Sequence, residues 1–565
     1  MSSLVTTKLR KKNIILEKQL IEFDIHKTLA SILSARAIDS SNDIDYKLEK
    51  LIPYCELSFA ESAANFILDM ILAKKNILII GDYDADGATA SACAIKGLEK
   101  FGANVDFLVP NRFEDGYGLS VSIVEKALEK KPDLIITVDN GIASIEGVEK
   151  AKAHGVDVVI TDHHLPGDAL PNANFIINPN QKACNFPSKN LCGVGVIFYL
   201  LIAIKSQAKK RKLFNKNEEP RLSDLLDIVC LGTIADLVKL DFNNRLLVQF
   251  GMHIIRSGEG NFGIRAISQL SNRRLQNLKT SDLSFVIAPK LNAAGRLDDM
   301  SLGIKCLLAK TFDEALHHAR RLLSLNTERR QIENEMKDSA LSKDILGSLE
   351  NKKAIALYDA SWHQGIIGIL ASRIKEKFYR PTIIFAKDEE GRLKGSGRSI
   401  SNFHLRDAID LVSKKNPNLI MSFGGHAMAA GLTILENDFS LFETEFESVA
   451  SDLLNANDLS IEFEIDHSIL DDINIDGINL INGEIWGQGF PAPIFKDSFQ
   501  VLDQKIIGGK HVKCTLKYKE KKFSAIYFNH EQSLADKIET IYEIDINRFS
   551  GKEEIQLILR QIINE

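Results

Sequence analysis

The strongest constraint on this chain is an alternation that begins at residue 76. The β-branched runs NILII, VDFLVP, LIITV, VDVVIT and FIIN are separated by stretches such as 88–100 and 142–154 that carry helical periodicity. A strand that runs parallel to its predecessor needs a crossover, and a helix is the usual one. The pattern therefore predicts an α/β fold with a mostly parallel sheet buried between helices. In such sheets the side chains just beyond the carboxyl ends of neighbouring strands converge on one crevice, so chemistry is sought there.

Those strand ends are acidic. Gly81-Asp82-Tyr83-Asp84-Ala85-Asp86-Gly87 follows NILII directly, Asp139 closes LIITV, and Asp162-His163-His164 closes VDVVIT. Three carboxylates in one short turn repel one another and raise each other's pKa, a cost that a cation among them relieves. An EF-hand loop would continue to a Glu at its twelfth position, where this chain has Cys93, so that site is excluded. Asp236, in LGTIADL, reads either as a helix-associated charge or as a further ligand. Oxygen and imidazole donors without thiolate favour Mg²⁺ or Mn²⁺ over structural Zn²⁺. Their number suits two divalent metal ions sharing one carboxylate, an arrangement fit for phosphoester hydrolysis.

The motifs Asp84-Ala-Asp86-Gly, Asp139-Asn-Gly, Asp162-His163-His164 and Gly232-Thr-Ile-Ala-Asp236 resemble, in order and context, those of the DHH phosphoesterase superfamily. Downstream, Leu291-Asn-Ala-Ala-Gly-Arg296, Trp362-His-Gln-Gly-Ile-Ile-Gly, Gly395-Ser396-Gly-Arg398-Ser and Gly424-Gly-His426-Ala-Met-Ala-Ala-Gly resemble its RecJ branch with a DHHA1 domain. Gly487-Gln-Gly-Phe-Pro-Ala-Pro-Ile-Phe495 resembles the start of that branch's OB-like barrel, so the resemblance covers about residues 40 to 560.

It implies a single-stranded-DNA-specific exonuclease that degrades 5′ to 3′ with two Mn²⁺ or Mg²⁺ ions, in DNA repair and recombination. It also implies Asp84, Asp86, Asp139, His163 and Asp236 as metal ligands, with Asp139 bridging and His164 against the scissile phosphate. Many relatives carry a His two residues before Asp82, where this chain has Ile80, so Asp82 or water completes the first ion's ligands. Arg112, Ser396 and Arg398 are implied for the terminal 5′-phosphate. Arg296 goes either to backbone phosphate or to Asp298 or Asp299, and His426 either contacts a nucleotide or only closes a tight turn. A superfamily phosphodiesterase of short oligonucleotides or cyclic dinucleotides is the alternative, which the chain's length disfavours. A catalytically dead replication scaffold would have lost the acidic and His residues kept here.

A chain of 565 residues has room for about three to four domains. The expected partition is a helical segment packing on the catalytic domain (1–74), a DHH catalytic domain (75–305), a linking helix (306–350), a DHHA1 domain (351–457) and an OB-like nucleic-acid-binding domain (458–565). The stretch 312–341, free of Gly and Pro, marks the linking helix, and Ser396 and Arg398 are expected in a Gly-rich turn. The first 74 residues show no strand-like alternation, whereas IEFEIDH, FQVLDQKII, VKCTLKY and KFSAIYFN read as strands of a small antiparallel barrel. Phe495, Phe523, Tyr527, Phe528 and the Lys-rich 517–522 would make that barrel a single-strand platform.

The net charge of −6 means that any polyanion is held by a local groove rather than by the field of the whole molecule. Seven scattered Cys without a CxxC pair read as buried hydrophobes in a reducing compartment. The longest apolar run, 193–204, is too short to span a bilayer, and the N-terminus lacks an apolar leader. The expectation is a cytoplasmic monomer that meets single-stranded DNA and repair proteins such as a helicase or a single-strand-binding protein.

Overall fold

The computed structural model describes all residues except 1–4, 37, 113–114, 216, 343–348, 350–351, 549–551 and 565. The first strand, β1 (Val5–Leu9), stands apart from the alternating segment. That segment forms β2 (Asn76–Ile80), β3 (Asn104–Leu108), β4 (Leu134–Val138), β5 (Asp157–Thr161) and β6 (Phe175–Ile177), ordered β3-β2-β4-β5-β6 with every pair parallel. The chain leaves β2 toward β3 on one side and returns to β4 on the other, so a switch point lies between β2 and β4. Helices cover both faces. Ile77, Ile79, Ile136 and Val159 pack with the helices Ala85–Glu99 and Gly193–Lys210, while Leu78, Ile80, Ile135 and Ile160 pack with Val121–Glu129 and Ile145–Ala153. The run 193–204 is thus a core helix, and among the described residues no helix is long and apolar enough to cross a membrane.

The helix Phe312–Ala340 runs 29 residues, about 44 Å at 1.5 Å per residue, and Thr311 caps it by accepting from the Glu314 N–H. Ala315, Ala319, Leu322 and Leu325 pack into the catalytic core, and Met336 and Ala340 pack against the helix Ile367–Phe378 of the next domain. One rod therefore fixes the spacing of the two. Of the expected linker 306–350, residues 306–308 belong instead to a separate helix, Ser301–Leu308, and 343–348 and 350 lie outside the described residues.

The second sheet comprises β7 (Ile355–Tyr358), β8 (Thr382–Lys387), β9 (Arg392–Arg398), β10 (Ser422–Gly425) and β11 (Ala429–Leu435), ordered β10-β11-β9-β8-β7. Here one expectation is corrected: Ser396 and Arg398 sit in the central strand β9, not in a turn. The neighbouring glycines serve packing. A Cβ on Gly395 would lie 2.5 Å from the Phe385 ring and 2.6 Å from Leu432, and one on Gly397 would lie 2.6 Å from Leu405. At these two positions the core face of β9 has no room for a side chain, and Ser396 and Arg398 project from the other face.

Two further expectations fail at the termini. Strand β12 (Ile461–Ile465), read as part of the barrel, pairs in parallel with β1, within the segment read as wholly helical. The reason is tertiary, since a lone strand is unreadable until a distant partner supplies its ladder. Between them Arg36 and Asp466, whose side chains are 1 % and 3 % exposed, form a bidentate pair at 2.7 and 3.0 Å. The barrel itself is β13 (Phe495–Ile507), β14 (His511–Tyr518), β15 (Lys521–Phe528), β16 (Lys537–Asn547) and β17 (Glu554–Asn564), closed in the order β13-β14-β15-β17-β16. Closure uses one parallel pair, β15 with β17, so the barrel is not wholly antiparallel. Phe495 and Phe523 are core, whereas Tyr527 stacks on His530 and Phe528 is exposed. The Lys-rich hairpin is partly committed within the chain, Lys519 and Lys521 binding the segment at Asp471. Six of the seven Cys are buried; Cys55 is exposed, against expectation.

Candidate metal centre and phosphate-binding site

Adjacent strand ends deliver the acidic groups. Asp82 and Asp84 follow β2, and Asp84 caps the helix Ala85–Glu99 by accepting from the Gly87 N–H at 3.0 Å. Asp86, in the first turn of that helix, accepts from the N–H groups of Gly193 (2.6 Å) and Val194 (3.0 Å) at the start of the helix Gly193–Lys210. Asp139 follows β4 in a left-handed conformation, φ 63°, with its N–H bound to the Thr161 carbonyl. Asp236 caps the carboxyl end of the helix Leu226–Ala235. The Nε2 of His163, after β5, lies 3.1 Å from Asp139 Oδ1 and 3.6 Å from Asp236 Oδ2.

Three sets bring potential ligand atoms within 4.8 Å of one another: Asp82, Asp84 and Asp139; Asp86, His163 and Asp236; and Asp139, His163 and His164. Asp139 belongs to both sides of the cluster. Its Oδ1 is buried and has no hydrogen-bond partner. Burial, followed by repulsion from neighbouring carboxylates, pushes the carboxyl groups of Asp82, Asp139 and Asp236 well up and that of Asp86 to about 7. An orphaned buried oxygen among mutually repelling carboxylates fits divalent cations. Asp82 lies in one set with Asp84 and Asp139.

A stability experiment follows from these shifts. A carboxyl raised in the folded state stabilises below its unfolded pKa and loses that contribution as pH rises through the folded value. In EDTA the melting temperature is expected to fall between pH about 4 and 7, the window set by Asp86, and saturating Mn²⁺ is expected to restore it at pH 7. A flat EDTA profile would contradict the clustered-carboxylate account.

The two histidines are held differently. Burial and the neighbouring charge of His164 push His163 down to about 4, which leaves a neutral ring with a lone pair to donate. Burial opposes charge on His164 too, but the 2.7 Å contact of its Nδ1 with Asp162 and the charges of Asp162, Asp82 and Asp84 together outweigh burial and raise its pKa. Asp162, 1 % exposed, also accepts from the N–H groups of His163, His164 and Ile142, so it orients the pair rather than joining the metal set. Asn180 and Asn178, beyond β6, donate to the carbonyls of His163 and His164.

Opposite this acidic cluster lies a cationic one. The Arg112 guanidinium sits 4.2 Å over the Tyr83 ring, and its Nε is buried without a partner. Arg296 donates to the Gly365 carbonyl at 3.0 Å, while Asp298 accepts from Arg321 and Asp299 closes its own turn with Ser301. Burial, then the charges of Arg112, Arg329 and Arg398, push Arg296 down to about 9. Arg398 donates to the Gly397 carbonyl (2.7 Å) and stands near Ser396 Oγ (3.4 Å). A Cβ on Gly368 would lie 3.0 Å from Ser396 Oγ and 3.1 Å from Arg398, so the helix Ile367–Phe378 closes over this pair. Among the described residues no carboxylate forms an ion pair with Arg112, Arg296 or Arg398. Converging guanidinium groups with no carboxylate partner among the described residues suit a phosphate. His426 stands apart, exposed at the turn between β10 and β11, with its N–H bound to the Ala429 carbonyl.

Family models match this chain as the DHH family N-terminal domain (residues 76–233), the DHHA1 domain (351–452) and the RecJ OB domain (465–561). A relative named single-stranded-DNA-specific exonuclease RecJ, from Escherichia coli (strain K12), is 41 % identical over 94 % of this chain and 95 % of its own length. The chain belongs to the RecJ family. A Bacillus subtilis member of the same name is 31 % identical over 95 % of this chain and 68 % of its own length. The crystal structure of RecJ in complex with Mn²⁺ from Thermus thermophilus superposes with a TM-score of 0.81 at 26 % identity, covering 99 % of this chain and 80 % of that one. A second from the same organism, with Mg²⁺, gives 0.76 at 25 %, covering 99 % and 79 %.

Within this RecJ-family site, sequence reading assigned no role to Asp162, Tyr83 or Tyr117. Asp162 was visible as the first letter of the Asp-His-His triplet, but its orienting role needs the Nδ1 contact. Tyr117 Oη lies 3.3 Å from the Asp139 carbonyl oxygen and 3.5 Å from His164 Nε2, between the two catalytic strand ends. Gly193 was read only as the start of an apolar run, yet a Cβ there would lie 2.3 Å from Asp139 Cβ.

Proposed function

We propose that the protein is a single-stranded-DNA-specific exonuclease that releases nucleotides from the 5′ end by metal-dependent phosphodiester hydrolysis, in DNA repair and recombination. The observation that carries this is the facing of two clusters, the carboxylate and imidazole set at the strand ends and the guanidinium set of Arg112, Arg296 and Arg398.

Asp82, Asp84 and Asp139 would hold one divalent ion and Asp86, His163 and Asp236 another, with Asp139 shared. Bound Mn²⁺ or Mg²⁺ supplies an activated water and charge stabilisation for the attacking and leaving oxygens. The chain's own groups do the rest. Arg112, Ser396 and Arg398 grip the terminal 5′-phosphate, so that the next phosphodiester falls at the carboxylates. Arg296 is left to hold a backbone phosphate. His164, whose pKa is raised beside Asp162, donates a hydrogen bond to the scissile phosphate as negative charge grows there. His426 belongs to the reading as a nucleotide contact at the DHHA1 sheet, and the partition 1–74, 75–305, 306–350, 351–457 and 458–565 goes with it, the linking helix itself starting at Phe312 and β12 pairing outside the barrel. A cytoplasmic location, a monomeric state and recruitment by a helicase or a single-strand-binding protein complete the proposal.

Digestion of single strands labelled at one end, with and without Mn²⁺, tests the function: loss from the 5′ end only in metal supports it, and loss from the 3′ end or in EDTA overturns it. A 5′-hydroxyl strand is expected to be cut about tenfold more slowly than a 5′-phosphorylated one, in line with loss of a charge-assisted contact. Arg398→Ala is expected to erase most of that difference. Equal preference in wild type and variant would place end recognition elsewhere.

A further inference from the structure

Residues 283–287 form a π-helical turn between the helix Ala288–Leu297 and the segment anchored to the barrel side by the Thr280 hydroxyl, which donates to the Trp486 carbonyl. Single π turns are uncommon and concentrate at functional sites. Leu283 and Ile287 are fully buried, and the Ser284 hydroxyl donates to the Ile234 carbonyl, two residues before Asp236. The turn is thereby fixed to the metal centre. Between these anchors Phe285 points outward, 72 % exposed.

Its surroundings are not open surface. Phe285 lines two cavities at once. One, of about 640 Å³, is walled by Asn292, Arg296, Arg329, Arg330 and Arg373, with Glu333 paired to Arg329 and Arg373, and Arg329 Nε there is buried without a partner. The other, of about 560 Å³, is walled by Leu237, Trp486, Phe495 and Arg560, between the metal centre and the barrel. An exposed aromatic ring on an anchored turn, between a cavity in which arginines outnumber the one carboxylate and a cavity that reaches the barrel, meets the two requirements of a single-strand path, charge for phosphates and a flat face for bases.

We propose that Phe285 is a positioning residue that stacks on a nucleobase on the 3′ side of the scissile phosphate, holding the strand in register between the metal centre and the barrel. This rests on the reading that single-stranded DNA is the substrate. The 3′ assignment follows from position. The terminal 5′-phosphate is taken at Arg112, Ser396 and Arg398, the next phosphodiester at the carboxylates, and Phe285 lies beyond Asp236 toward the barrel. Stacking uses the π face that every base has, so the contact is blind to sequence.

The test is an abasic scan. Single strands of roughly 12 nucleotides, each with one abasic position, are bound in Ca²⁺ and followed by fluorescence anisotropy, for wild type, Phe285→Ala and Phe285→Trp. Wild type is expected to lose about tenfold in affinity when the abasic position falls at one or two adjacent sites. Phe285→Ala should bind the intact strand about tenfold more weakly and show a flat scan, and Phe285→Trp should keep the dip. In hydrolysis Phe285→Ala should raise KM and leave kcat on a very short strand nearly unchanged. The exposed ring predicts an unchanged melting temperature. A dip that persists in Phe285→Ala, or a flat scan in wild type, overturns the proposal. Failure of the exonuclease reading shows separately, as absence of 5′-end digestion by wild type.

Discussion

Asp139→Asn is expected to lower the rate of single-strand digestion at saturating Mn²⁺ by at least a thousandfold, about 4 kcal/mol of barrier. Asp139 is the one carboxylate shared by both sides of the cluster, and its unpartnered, buried Oδ1 stands 3.1 Å from His163 Nε2. Asn keeps the size of the side chain and removes the charge. It also tolerates the left-handed backbone at φ 63°, whereas Ala would add backbone strain and blur the result. Folding should survive or improve without metal, because burial and the charges of Asp86, Asp84, Asp236 and Asp82 all disfavour ionised Asp139. The measurement pairs digestion rates with thermal unfolding in EDTA. A variant that keeps more than a tenth of wild-type activity would remove Asp139 from its bridging role.

The legible parts of this molecule are those whose signal is local. The β-branched runs and the acids that close them could be read because strand period and strand end lie within a few residues of each other, and a parallel sheet turns those ends into neighbours. The long helix was legible from the absence of Gly and Pro over 312–341. What stayed hidden depends on partners far along the chain. Strand β1 has no meaning until β12, more than four hundred residues away, pairs with it. Asp236 was ambiguous because only the fold sets its carboxylate 3.6 Å from His163. The glycines of Gly395-Ser396-Gly-Arg398 looked like a turn because the sequence does not show that Phe385, Leu432 and Leu405 press on the far face of the strand. Phe285 carries no pattern at all, since its exposure comes from a π turn whose neighbours are core.

Gly193→Ala should be the most damaging change outside the ligand set, with activity reduced at least a hundredfold, about 2.7 kcal/mol of barrier. An added Cβ would stand 2.3 Å from Asp139 Cβ and 2.6 Å from its Cγ and Oδ1, closer than atoms approach without displacement. Neither partner can yield cheaply. Asp139 is tied through its N–H to Thr161, while retreat of the helix Gly193–Lys210 would carry away the two N–H groups that hold Asp86. One methyl group thus moves ligands on both sides of the cluster, and misplacement by about 1 Å is enough for a hundredfold loss. Overpacking should also cost about 1–3 kcal/mol of stability, read as a lower melting temperature. The control is Gly195→Ala on the same helix, where the nearest atom to the new Cβ is Leu191 Cδ2 at 3.2 Å, the end of a side chain that can turn aside. It should keep activity within a few-fold and bind Mn²⁺ as wild type does. If both alanines lose activity equally, helix destabilisation explains the loss; if Gly193→Ala alone loses activity and needs more Mn²⁺ for half-maximal rate, the contact with Asp139 does.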